Sequence, residues 1–248
     1  MPFKDYFSKQ SKVYSLYRPT YPRSLFDYLA SISVQHEKAW DCATGNGQAA
    51  ISLSSYFHTV IATDPSPAQI EQAPQNPNVI YQIARAEKTE ISSYSVDLIT
   101  VAQALHWFNL KDFYQEVGRV LKPEGILAIW GSEVLDISPS INEILRHFYS
   151  KIVGEYWPPE IRILESGYRS IPFPFQEIAS PEFKMEAAWS MNHLLGYLES
   201  WSATQKYREV NQINPIGQIR DDLAKAWGIP EEPKRVIWPI RMRIGKLI

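Results

Sequence analysis

Residues 40–50 read WDCATGNGQAA: an acid ends an apolar run, two glycines precede a helical pattern, and a second acid, Asp64, closes the next apolar run. Glycine at 45 and 47 removes two Cβ atoms where a ligand must approach the backbone, and permits the positive φ of a tight strand-to-helix turn. An ionised Asp64 presents two oxygens, enough to accept hydrogen bonds from both hydroxyls of a ribose. Asp41 suits a protonated amine, met directly or through an ordered water. Together these residues point to a ligand with a sugar and an amino-acid head. Structural roles compete at both acids: a turn cap at Asp41 and, with Pro65 and Ser66 following, a helix N-cap at Asp64.

Spelled as Gly45, Gly47 and Ala50, with an acid about 20 residues on, the stretch also meets the loose dinucleotide fingerprint, so an NAD(P)-dependent oxidoreductase is the first rival. In such sites the strand runs almost directly into the first glycine, so that a pyrophosphate rests on the helix N-terminus. Here Asp41, Cys42, Ala43 and Thr44 intervene, and an acid in that place repels phosphate. S-adenosylmethionine has no phosphate and carries both a protonated amine and a ribose.

The elements that must position these residues follow from alternating patterns. Between residues 38 and 130 short apolar runs alternate with helical stretches, the signature of βαβ units and a mainly parallel sheet. Candidate strands are Ala39 to Cys42, Thr59 to Thr63, Val79 to Ile83, Val96 to Ala102 and Ile126 to Trp130. Leu110, Phe113, Tyr114, Val117, Val120 and Leu121 form a helical stripe, which LKPEG (121–125) ends. Ahead of the sheet, YRPTYP (17–22) is too proline-rich for a helix; it reads as an extended arm, able to fold over a cofactor, leading into a helix at Ser24 to Ile32. Residues 154–181 mix Pro158, Pro159, Pro172, Pro174 and Pro181 with aromatic side chains and read as a lid segment. Helical patterns follow at Met191 to Val210 and Ile216 to Trp227, then a closing strand at Val236 to Ile244, where Pro239 demands a bulge or an edge.

A chain of 248 residues holds one substantial core with room for a cap. Its 25 basic and 27 acidic side chains, net −2, form no run that would track a nucleic-acid backbone. No stretch approaches the roughly 20 apolar residues of a membrane span. The single cysteine, Cys42, and the absence of an apolar leader fit a reducing, cytoplasmic setting. Eight Trp, fourteen Tyr and ten Phe exceed what a bare α/β scaffold needs; lid and core packing absorbs most of them, and the rest can line a small-molecule pocket.

The chain resembles the class I S-adenosylmethionine-dependent methyltransferases over most of its length. WDCATGNGQ is similar to the family's first motif, an acid and three alternate glycines, with Ala43 in place of the first glycine. ATDPSPAQI (62–70) resembles the second motif, which gives Asp64 the ribose. The stretch 84–108 resembles the segment where an alanine and an acid flank the adenine, here Ala86 and Glu87, and where Gln103 and Ala104 match positions beside the methionine moiety. RVLKPEGILAIW (119–130) resembles the turn into the fifth strand, with Glu124 where glycine is commoner. YRPTYP, ALHWF (104–108) and LESWSATQKY (198–207) are similar to a small-molecule, trans-aconitate methyltransferase-like (type 11) branch.

The resemblance implies a three-layer, doubly wound α/β sheet of about seven strands, mainly parallel with the last antiparallel, and a helical lid. One domain, residues 1–248, would comprise an arm and helix (1–35), a cofactor core (36–131), a lid with one strand (132–234) and a closing strand (235–248). The cofactor is expected on Asp41, Ala43, Gly45, Asn46, Gly47, Asp64, Pro65, Ala86, Glu87, Gln103 and Ala104. The expected partner is a small acceptor, a carboxylate or a hydroxyl, handled by a monomer or weak homodimer; a non-catalytic cofactor-binding module is the alternative.

Methyl transfer from a sulfonium is an in-line displacement with an activated donor, so orientation dominates, and a base matters only for a protonated acceptor. His106, just past the fourth strand at the carboxyl edge of the sheet, is the candidate base; packing against Trp107 is its alternative. Arg18 offers a bidentate clamp for a carboxylate, or a surface ion pair. Tyr17, Trp107 and Trp201 are candidates to wall the pocket or shelter a cation, or to pack the core. No Cys, His or acid spacing near the site resembles a metal-ligand set.

Overall fold

The computed structural model describes residues 19–247. Tyr17 and Arg18 lie outside them. Pro22, extended at φ −69° and ψ 142°, feeds directly into α1 (Arg23–Ile32), which buries Leu25, Phe26, Leu29 and Ala30.

Five parallel strands follow: β1 (Lys38–Cys42), β2 (Thr59–Asp64), β3 (Val79–Ile83), β4 (Val96–Ala102) and β5 (Leu121–Ser132). Antiparallel β8 (Lys234–Lys246) pairs with β5, and the order is β3-β2-β1-β4-β5-β8-β6, with β6 at Gln176–Ile178. Strand β4 is buried along nearly its whole length because both faces are covered. Alternation divides the layers: Ile126, Ala128 and Trp130 join the core on one face with Leu25, Phe26 and Leu29 of α1, while Leu127 and Ile129 join the core on the other. There α4 (Leu110–Val120) buries Phe113, Val117 and Val120, as its stripe predicts; Leu121 is already the first residue of β5. From β1 the chain winds first toward β2 and β3 and later returns to β4 on β1's other flank. The carboxyl ends of β1 and β4 therefore flank a topological switch point, where a crevice must open.

The lid segment departs from its expected form in two places. Its single expected strand is two, β6 (Gln176–Ile178) and β7 (Phe183–Trp189), pairing with successive parts of β8 as one interrupted edge. The long helix splits at Ser200 and Trp201 into α7 (Met191–Glu199) and α8 (Ser202–Asn211). Pro239 sits inside β8, and the irregularity it demands lies across from it. Ser132 pairs with Ile240 and Asp136 with Ile237, so three residues of one chain face two of the other. Shorter helices complete the molecule: α2 (Gln48–Leu53), α3 (Pro67–Ile70), α5 (Pro139–His147), α6 (Ile161–Glu165) and α9 (Arg220–Trp227).

Both departures from the family's glycine pattern fall on left-handed backbone, Ala43 at φ 55° and Glu124 at φ 65°. A Cβ there costs about 1–2 kcal/mol. At Gly47, φ 84°, a Cβ would also run into the Tyr81 hydroxyl. Ala43→Gly and Glu124→Gly should each raise stability by about 0.5–1 kcal/mol after the extra freedom of unfolded glycine is set against the relief. Gly47→Ala should lower it by more than about 1 kcal/mol. Urea melts check the three signs, and a destabilised Ala43→Gly protein contradicts the assignment of strain.

Candidate active site

Asp64 ends β2 and is 8% exposed. One carboxylate oxygen accepts the Gly45 N–H at 2.9 Å and the other the Ser66 N–H at 2.9 Å. It thereby ties the loop after β1 to the turn after β2. Ser66, not Asp64, caps α3 through its own hydroxyl. Thr44 N–H donates to Thr63 O at 2.9 Å, holding the same loop from below.

Asp41 stands one strand over, in register with Ala62. It is 1% exposed, and its carboxylate accepts the hydroxyls of Thr44 (2.5 Å) and Thr100 (2.8 Å). The direct contact expected of Asp41 is corrected: it does not line the cavity, and its carboxylate is taken up within the fold by Thr100 and by Thr44, which does line it. Burial, with the Asp64 charge adding, raises its carboxyl to about 6.

A single cavity of about 740 Å³ runs along the carboxyl ends of β1, β2 and β4. It brings together eleven of the expected residues: Ala43, Gly45, Asn46, Asp64, Pro65, Ala86, Glu87, Gln103, Ala104, His106 and Trp107. Glu87 accepts the Asn109 N–H at 3.0 Å and meets Arg85 at 3.2 Å, so it also anchors the start of α4. Gly47 is not on the wall; its bare Cα makes room for Tyr81. Trp201 is not on it either. Its ring lies among Phe148, Tyr149, Trp157 and Tyr197, with centroids 5.5–5.9 Å away, and packs the lid.

The far end of the cavity is lined by residues that no motif flags: Ser132 at the end of β5, Met185 of β7, Tyr197 of α7 and Trp238 of β8. Only the arm carries a signal, and its Pro19 and Tyr21 do line the cavity, with Tyr21 edge-on to Trp130 at 5.4 Å. Gln103, left-handed at φ 57°, donates its side-chain N–H to the Ser132 hydroxyl at 3.0 Å. Trp238 Nε1–H donates to the Tyr197 hydroxyl at 3.3 Å. His106, in a tight turn at Leu105–Trp107, is 8% exposed, and burial depresses its imidazolium pKa to about 4. It is neutral at pH 7.

These two shifts have opposite linkage signs. His106, ordinarily at 6.5, supports stability above that value and loses the contribution as pH falls through about 4. Asp41, ordinarily at 3.8, contributes fully below that value and loses the contribution as pH rises through about 6. Between about 4 and about 6 the slopes offset. Relative to the parent, Asp41→Asn should gain melting temperature as pH rises through this window, and His106→Gln should lose it. Thermal melts across the window test this, and two variants that parallel the parent would refute it.

Residues 40–129 match a family model described as a methyltransferase domain. A candidate methyltransferase of Dictyostelium discoideum is 34% identical over 98% of this chain and 95% of its own. A Saccharomyces cerevisiae protein named for S-adenosylmethionine-dependent methyl transfer is 26% identical over 87% of each chain. A solved structure described as a candidate type II methyltransferase of Anaeromyxobacter dehalogenans is 41% identical, covers 92% of this chain and 97% of that one, and superposes with a TM-score of 0.88. The dinucleotide reading of the glycine loop gives way to these matches, and the chain belongs to the class I S-adenosylmethionine-dependent methyltransferases.

Proposed function

We propose that the chain methylates a small molecule bearing a carboxylate or a hydroxyl, with the cofactor at the Asp64 end of the cavity and the acceptor at the Ser132 end. The observation that carries this is the continuity of the two ends: one cavity of about 740 Å³ joins the glycine loop to a chamber walled by Tyr21, Met185, Tyr197 and Trp238. That volume suits a nucleoside and a compact acceptor side by side. The acceptor wall is aromatic and closed by the lid, which fits a small organic molecule better than a polymer.

The residues present fit the cofactor. Asp64 would hold the ribose, Ala43, Gly45 and Asn46 would offer backbone at close range, and Ala86 with Glu87 would border the adenine. Gln103 and Ala104 would border the methionine moiety. Asp41 acts through Thr44 and through its field. S-adenosylmethionine supplies a methyl group already activated on a sulfonium. The protein's share is then orientation and exclusion of water, which can contribute on the order of 7–11 kcal/mol. Trp107 and Tyr21 keep water from the reacting centre, and a cytoplasmic setting completes the reading, resting on the lone, buried Cys42.

Asp64→Asn tests the cofactor end by titration calorimetry with S-adenosylhomocysteine. Asparagine keeps an oxygen for one of the two N–H donors but loses the charge. A hydrogen bond to a charged group contributes about 1.5–3 kcal/mol, so affinity should fall by about 10- to 100-fold. Undiminished affinity in a folded variant would remove Asp64 from the ribose. Labelled methyl transfer to a panel of small acids and phenols identifies the acceptor class.

A further inference from the structure

Beneath the turn that carries His106 lies Tyr168, 0% exposed and belonging to none of the family's motifs. Its backbone is left-handed at φ 62°, directly after Gly167 at φ 60°, a conformation uncommon for an aromatic residue. Two anchors hold it there: its N–H donates to Ile163 O at 3.0 Å, and its carbonyl accepts from Arg243 at 2.7 Å. The reversal drives the phenol ring under the Leu105–Trp107 turn. The Tyr168 hydroxyl lies 3.3 Å from His106 Nδ1.

That arrangement settles the direction of the His106 contact. A phenol has one proton to give. If its oxygen received a proton from His106 Nδ1, its own proton would be buried, and the described residues give the phenol no acceptor besides Nδ1. The phenol therefore donates to Nδ1, and the neutral ring carries its proton on Nε2. Nε2 has no hydrogen-bond partner among the described residues, yet it is not among the sealed polar atoms, and His106 lines the cavity. Its N–H opens on the cavity.

Building on the proposed acceptor site, we propose that Tyr168 is a positioning residue that locks His106 as an Nε2–H donor, so that His106 holds an oxygen of the acceptor and removes no proton from it. The acceptor then arrives with its nucleophile already ionised, as a carboxylic acid does near neutral pH. No proton moves in the transfer: the acceptor oxygen gains the methyl group as the carbon–sulfur bond breaks, and the bonding pair stays on sulfur. Around His106 the groups that could disturb the lock are Tyr168 below it, Trp107 beside it at 4.6 Å between centroids, and Glu160 and Lys111 along the same cavity.

Nitrogen NMR of protein labelled at its five histidines reads the tautomer directly, with His106 assigned by its loss in His106→Gln. The parent should show an unprotonated Nδ1 and a protonated Nε2 at pH 7, and Tyr168→Phe should populate the other tautomer. A proton on Nδ1 in the parent, or a tautomer indifferent to Tyr168→Phe, overturns the lock; the parent spectrum decides even where the variant does not fold. Against the panel of small acids, His106→Gln, which keeps an N–H in reach, should retain at least tenfold more activity than His106→Leu. Equal loss in both variants would make His106 a base. If S-adenosylhomocysteine binds and no panel member is methylated, the acceptor class is wrong, while the tautomer result still judges the lock.

Discussion

The cradle depends on one bifunctional contact, the Asp64 carboxylate accepting Gly45 N–H with one oxygen and Ser66 N–H with the other. Parallel pairing brings the ends of β1 and β2 side by side but does not fix the loops beyond them. A backbone N–H has a single donor, so once Gly45 is spent on Asp64 the loop can no longer slide along the sheet. Thr44 is pinned in the same sense by Thr63 O, and its hydroxyl by Asp41. The loop is consequently shaped before any ligand arrives, which lowers the ordering cost of binding.

Local chemistry of this kind was legible in the sequence. Asp64, the glycine loop and the Ala86–Glu87 pair are short-range patterns on elements whose order follows from apolar alternation. The two departures from the glycine pattern were informative as well, since Ala43 and Glu124 both occupy left-handed backbone. Misjudgement arose where burial decides. Asp41 has the right residue type and place along the chain, but its orientation depends on Thr100, 59 residues away, which takes one of its oxygens. Trp201 was left open between pocket wall and packing, since both have the same spacing, and the cluster with Phe148, Tyr149 and Trp157 decides for packing.

The acceptor chamber was illegible for a different reason. Tyr21, Ser132, Met185, Tyr197 and Trp238 come from the arm, three strand segments and a lid helix, and no periodicity links them. What joins them is β8, whose length lets it pair with β5 on one side and with β6 and β7 on the other. Through this strand the lid is continuous with the sheet, and Trp238 reaches Tyr197 from within it. A lid built on a strand sets the chamber's walls as firmly as the core sets the cradle.

Electrostatics divide the cavity in the same way as its architecture. At one end the carboxylates converge: the charge of Asp64 helps to hold the Asp41 carboxyl up, and Asp41, Glu87 and Asp64 all push the buried Cys42 thiol well above its ordinary range, after burial itself. Such a field opposes a pyrophosphate and favours a ligand with a positive amine and a positive sulfur. At the other end burial keeps His106 neutral, so this ring adds no charge to repel the sulfonium. A protonated histidine there would attract an anionic acceptor and at the same time repel the donor. A neutral N–H donor holds an acceptor oxygen without that repulsion, so the low pKa of His106 and its contact with Tyr168 serve the same end.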